Sequence, residues 1–147
     1  MRASTVIFLA LSIMLAACEE LQDLNAKQAA GQSGADGASE MNFDWQGKTR
    51  HVVDGDSLYI GELETQIRLW GVDAPEREER GYQQAKQKLI DMALKKQIGC
   101  KRQDTDKYGR IVARCFLMDG TEINKVLIHS GVSKEYCRFT DGFYGRC

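Results

Sequence analysis

Four acids, Asp54, Asp56, Asp73 and Glu76, and two arginines, Arg68 and Arg110, have the types and order that suit reaction at a phosphate ester. Carboxylate oxygens are the ligands that hard cations such as Ca²⁺ accept, and planar guanidinium forks match the oxygens of a phosphodiester two at a time. A further carboxylate can orient and deprotonate a water for in-line attack. Groups of both kinds in one place bind the phosphate and stabilise the charge developing on it, each such contact contributing on the order of 3 to 4 kcal/mol. The chemistry that these residue types imply is phosphodiester hydrolysis. Tyr108, beside Arg110, is placed to stack on a base or hold a nucleotide, against the plainer reading of a solvated turn tyrosine.

These groups fall where apolar runs meet polar turns. Val52-Val53 runs into Asp54-Gly55-Asp56-Ser57, and Ile67-Arg68-Leu69-Trp70-Gly71-Val72 runs into Asp73-Ala74-Pro75-Glu76, which holds the chain's only proline. Strand ends on a rigid scaffold are a usual place for chemistry. Lys48–Val53, Ser57–Ile60 and Thr65–Trp70 are predicted as strands, separated by Asp-Gly and Gly-Glu turn signals. Glu78–Lys96 lacks proline and brings Leu89, Met92, Ala93 and Lys96 to helical spacing. Gln97–Arg102 and Arg110–Phe116 read as a hairpin joined through Asp104–Gly109, and Glu122–His129 as a second helix burying Ile123, Val126 and Leu127. The β-β-β-α-β-β-α order predicts an α+β fold dominated by a five-stranded OB-type barrel with two helices.

Other motifs share these letters and fail on context. Gly55-Asp56-Ser57-Leu58 spells the GDSL nucleophile block of some lipases, but neither His51 nor His129 follows an Asp by three residues. Val52 to Asp56 resembles the nucleophile strand of haloacid-dehalogenase-like phosphatases, which need more βα units than this chain can hold. An EF-hand loop is excluded because Leu58 and Tyr59 stand where an oxygen ligand and a glycine are required. Two histidines outside any recognisable motif also leave a histidine-based nuclease without support.

Ahead of this region, Arg2 precedes an apolar run from Val6 to Leu15 that is too short to span a bilayer and reads as a secretory signal over residues 1–17. The run ends in Leu15-Ala16-Ala17-Cys18, which resembles the bacterial lipobox; the expectation is a lipidated Cys18, with Glu19 after it pointing to the outer membrane. Residues 18–42 are rich in Ala, Gly, Gln and Ser and read as a tether with a reach of roughly 25 to 30 Å. The remaining residues, 43–147, make one domain, expected to be a monomer. From Lys48 to Cys147 there are 18 Lys and Arg against 15 Asp and Glu, while the segment from Cys18 to Gly47 has one Lys against six acids. A near-neutral chain therefore carries a mildly basic domain, which permits a polyanionic partner.

Beyond Cys18 the cysteines are Cys100, Cys115, Cys137 and Cys147. An exported chain meets a disulfide-permissive compartment, and of the three pairings Cys100–Cys115 across the hairpin and Cys137–Cys147 closing the tail are favoured. A Cys₄ zinc site lacks the usual C-x₂-C spacing.

At Val53-Asp54-Gly55-Asp56-Ser57, at Ile67-Arg68-Leu69 through Asp73-Ala74-Pro75-Glu76, and at Asp106-Lys107-Tyr108-Gly109-Arg110, the sequence resembles the thermonuclease, or staphylococcal-nuclease-like, family. The match continues through Gly120, Ile123, Asn124 and Gly131, and it covers roughly Lys48 to Tyr136. The resemblance implies calcium-dependent cleavage of DNA and RNA with 3′-phosphate products. It implies Asp56, Asp73 and the Ala74 carbonyl as Ca²⁺ ligands and Asp54 as a supporting carboxylate. Glu76 falls where the family has its general base, and Arg68 and Arg110 where it holds the phosphate. A non-catalytic module on the same barrel would keep the fold and lose these charges. Two departures stand out: Ser57 replaces a common Thr, and Glu135–Cys147 holds aromatics, glycines and two cysteines in place of a final helix.

Overall fold

The computed structural model describes residues 42–147; the predicted signal segment, Cys18 and the tether up to Met41 lie outside the described residues. Five strands, β1 (Trp45–Val52), β2 (Ser57–Ile60), β3 (Ile67–Leu69), β5 (Gln97–Thr105) and β6 (Ile111–Leu117), close a barrel in the order β1-β2-β3-β6-β5. Antiparallel pairing joins all neighbours except β3 and β6, which run parallel with Arg68 beside Val112. Alternation drives Leu58, Ile60, Ile67, Leu69, Ile98 and Ala113 inward, and each is essentially inaccessible to solvent. In β1 the register slips between Thr49 and His51, which puts both Arg50 and His51 on the outside without breaking the ring. The fold class expected from the order of elements is the one observed.

Helix α1 (Tyr82–Ala93) buries Tyr82, Ala85, Leu89 and Ala93, one face at three- and four-residue spacing. It is shorter than expected at both ends. Gly81 at its N-cap has φ 98° and Lys95 just past its end has φ 63°, so the chain leaves helical geometry at each point. Lys96 accordingly lies outside the helix and is exposed. Helix α2 (Ile123–His129) packs on α1 and buries Asn124 and Ile128 along with the expected Ile123 and Leu127, while Val126 is half-buried. Asn124 ties α2 to the barrel: its Oδ1 accepts from the Cys115 N–H at 2.9 Å, and its Nδ2 donates to the Trp70 and Ala113 carbonyls at 2.9 and 3.1 Å.

Outside the barrel, β4 (Val72–Asp73) pairs antiparallel with β7 (Lys134–Glu135). Helix α3 (Cys137–Thr140) follows, so the segment expected to be a plain disulfide loop carries one helical turn. Both bridges have the favoured pairing, with Cys100 and Cys115 directly opposite each other in β5 and β6 and Cys137–Cys147 closing the tail. Gly71 lets the tail come close. It has φ 73°, and a Cβ there would collide with Thr140 Cγ2 and approach the Tyr144 ring to 3.1 Å. Tyr144 is buried, and its hydroxyl donates to Glu122 Oε1 at 2.7 Å, where Glu122 also receives a two-pronged contact from Arg114.

Candidate active site

An open cleft of about 720 Å³ is lined by Asp54, Asp56, Arg68, Ala74, Glu76, Tyr108 and Arg110, among other residues. Residues from three separate segments thus meet because β3 and β6 lie side by side: Arg68 sits on β3, and Arg110 immediately precedes β6.

The loop from Asp54 to Asp56 is held by its own backbone and by close packing. The Asp56 N–H donates to Asp54 Oδ1 at 3.1 Å, a local turn that aspartate favours. A Cβ on Gly55 would stand 2.7 Å from that of Ala85 on α1 and 2.8 Å from that of Ala74, so only glycine lets the loop sit this deep. Asp56 is 6% exposed, and its Oδ1 accepts from Ser57 Oγ at 2.8 Å and pairs with Arg68 Nη1 at 2.6 Å. Ser57 therefore uses the hydroxyl that it shares with threonine. Burial pushes the Asp56 carboxyl above its ordinary value; Arg68 pulls it down, and Asp54 pushes it up again. Arg68 is steadied a second time by donating from Nη2 to the Val72 carbonyl at 3.2 Å.

Arg110 has its own holder. Asp106 Oδ2 accepts from Arg110 Nε at 2.6 Å, and Asp106 Oδ1 accepts from the N–H groups of Tyr108 and Arg110 at 2.9 and 3.0 Å. One carboxylate shapes the turn and aims the guanidinium. Burial pushes the Asp106 carboxyl up, but the hydrogen bonds from Arg110 and Tyr108 outweigh it and hold the group below its usual value. The Arg110 guanidinium carbon lies 5.5 Å from the centre of the Tyr108 ring, which is 72% exposed.

Glu76 is exposed, and its backbone N–H is bound by Glu79 Oε2 at 2.9 Å, which fixes the turn that presents it. It borders both the cleft and a neighbouring depression of about 670 Å³. Asp73 lines that neighbouring depression and not the cleft, opposite Lys134 in the β4–β7 register. The cause is strand alternation, for Val72 is buried and the next side chain leaves on the other face. No group of three or more His, Cys, Asp or Glu able to hold a metal ion occurs among the described residues. Six of the seven residues singled out for metal and phosphate chemistry line the cleft with Tyr108, and Asp73 lines the adjoining depression, which shares Ala74, Pro75 and Glu76 with the cleft. Sequence reasoning missed Asp106 as the holder of Arg110, although its place four residues before the arginine was a usable signal.

Residues 66–143 match the family model described as Staphylococcal nuclease homologue. The chain belongs to that family. Among curated proteins, it is 24% identical over 119 residues to Protein ParB of Escherichia coli, covering 74% of this chain and 64% of that one. It is 34% identical over 105 residues to the succinoglycan biosynthesis protein ExoI of Rhizobium meliloti (63% of this chain, 53% of that one). It is 23% identical over 103 residues to a micrococcal nuclease of Shigella flexneri (63% and 59%). The aligned part therefore spans 53% to 64% of the length of these relatives. Within the staphylococcal nuclease homologue match lie Arg68, Asp73, Glu76 and Arg110, whereas Asp54 and Asp56 precede it.

Proposed function

We propose that the protein is a nuclease that hydrolyses phosphodiester bonds of DNA, RNA or both, depends on Ca²⁺ and leaves 3′-phosphate products. The observation that carries this reading is that Arg68 and Arg110 line the same cleft as Asp54, Asp56 and Glu76. Membership of the staphylococcal nuclease homologue family and the likeness to a protein named micrococcal nuclease support it.

The donor types fit a hard cation. Asp56, the Ala74 carbonyl and Asp54 offer only oxygen, and Asp73 adjoins through the Ala74–Glu76 segment. A buried carboxylate with a second acid beside it also gains from a cation, which offsets the repulsion. When bound, Ca²⁺ would supply positive charge for the phosphate oxygens and the attacking water. The protein's own groups do the rest. Arg68 and Arg110 grip the non-bridging oxygens and stabilise the charge that grows on them. Glu76 at the rim orients a water and takes its proton. The water oxygen bonds to phosphorus as the P–O5′ bond breaks; the phosphate stays on the 3′ side, and the departing 5′ oxygen takes a proton from solvent.

Purified protein incubated with an end-labelled single-stranded oligonucleotide should cleave it with CaCl₂ and not with excess chelator. The fragments should resist 3′ extension by a polymerase until treated with a phosphatase. Ca²⁺ should also raise the melting temperature of the wild type, by mass action, and do so much less for Asp56→Asn. Binding without cleavage in either buffer would overturn this reading in favour of a non-catalytic module.

We further propose that Cys18 carries a lipid that holds the domain at the cell envelope, in the outer membrane. Several acyl chains anchor stably where one binds marginally, so Cys18→Ala should move the protein from the membrane to the soluble fraction. Unchanged fractionation would count against the anchor.

A further inference from the structure

The tail that departs most from the expected pattern contributes side chains to the cleft. Tyr136, Arg138 and Phe139 line it together with Arg68, Arg110 and Tyr108. Phe139 is 61% exposed, and its ring meets Tyr136 edge-on at 4.7 Å and 84°. Arg138 is exposed and makes no hydrogen bond or ion pair among the described residues. Packing duty does not explain these two. Tyr144 and Phe143 cover the barrel from this side, with Tyr144 buried and Phe143 lying edge-on to Trp70 at 5.4 Å. The bridge between Cys137 and Cys147 begins immediately before Arg138 and holds the short α3 in place.

An exposed aromatic ring beside unpaired cationic charge calls for a partner with both a flat apolar face and negative charge. A second protein chain meets the first requirement, but the continuity with Arg68 and Arg110 favours a polyanion. Bases in a duplex have their faces covered by neighbours, and those of a single strand do not. Resting on the reading of the cleft as a nucleic-acid site, we propose that Arg138 and Phe139 form a second nucleotide subsite adjoining the phosphodiester site. Phe139 stacks on an unpaired base, and Arg138 contacts a phosphate of the same strand.

Fluorescence anisotropy of a labelled oligonucleotide, single-stranded or annealed, in chelator to prevent cleavage, tests this directly. Phe139→Ala should weaken single-strand binding by about five- to a hundredfold, the range for loss of one stacked base, and leave duplex binding unchanged. Phe139→Trp should restore it. Arg138→Ala should weaken binding and reduce the slope of log affinity against log salt by about 0.7. No change in Phe139→Ala, equal losses on single strand and duplex, or no single-strand binding by the wild type would overturn the subsite. Wild-type cleavage with unchanged binding in the variants would sink the subsite alone. The predicted binding pattern in a wild type that never cleaves would sink the hydrolytic reading and leave the subsite standing.

Discussion

Replacing Arg110 by alanine should lower turnover on a single-stranded oligonucleotide by about 10²- to 10³-fold with the fold intact, the usual cost of deleting one well-aimed donor to a charge that forms only in the transition state. The guanidinium is aimed before substrate arrives, because Asp106 takes Nε at 2.6 Å while also pinning the backbone of the same turn. Pre-aiming removes an ordering cost that substrate binding would otherwise bear. The melting temperature should hardly move, since Arg110 is half-buried and its carboxylate partner keeps the Tyr108 N–H. Arg110→Lys should recover little, because an ammonium keeps the charge and loses the planar fork. Asp106→Ala should fall between wild type and Arg110→Ala in kcat, with its melting curve recorded to separate lost aim from lost turn. Near-normal turnover by Arg110→Ala would remove this residue from the mechanism.

The largest stability effect is expected at Glu135. This carboxylate is 6% exposed and accepts three hydrogen bonds from the tail: Thr140 Oγ1 at 2.7 Å, the Tyr144 N–H at 2.9 Å and the Arg146 N–H at 2.7 Å. Glu135→Ala leaves the two N–H groups without an acceptor and Thr140 Oγ1 with no closer acceptor than the Tyr136 carbonyl at 3.5 Å, at a cost of about 3 kcal/mol once partial rescue by water is allowed. For a domain of this size that is a fall in melting temperature on the order of 15 °C. The acid limb should change too. Burial pushes the Glu135 carboxyl up, but the bonds from Tyr144, Thr140 and Arg146 prevail and hold it below its ordinary value. A folded value below the unfolded one means that the native state binds fewer protons in that range. The stabilisation is therefore present above the unfolded value, about 4, and is lost as pH falls through the folded one. Melting temperature plotted against pH should drop less steeply below about pH 4 in Glu135→Ala than in wild type, with Asp106 supplying part of the slope that remains. Parallel curves would show that Glu135 does not carry the acid sensitivity.

The barrel was legible because its strands are rich in Val, Ile, Leu and aromatic residues and its turns are punctuated by Asp-Gly and Gly-Glu, whereas the inward placing of Leu58, Ile60, Ile67 and Leu69 comes from the folded sheet. The β4–β7 ribbon was not, since two residues a strand carry no period to detect. The start of α1 was misplaced because Glu78–Arg80 has helical composition and only the positive φ of Gly81 ends the preceding turn there. Among site residues, Asp56, Arg68 and Arg110 were visible through charge type and strand-end position. That Asp73 opens onto the adjoining depression was hidden, because it depends on which face of β4 each side chain takes. Glu135 and Phe139 were hidden for another reason: their meaning comes from a tail folded back over Gly71, which sequence spacing does not encode.

The parallel pairing of β3 with β6 also sets a timetable. Every other barrel neighbour can meet in an antiparallel arrangement, but Arg68 must wait for the residues around Val112 to be made and docked. A nascent chain emerging from its N-terminal side carries Asp54, Asp56, Arg68 and Glu76 for some time with one wall of the cleft absent. If the cleft hydrolyses phosphodiesters as proposed, a chain cut short before β6 should be inert, and the capacity to damage the producer's own nucleic acid would arrive only with the last barrel strand.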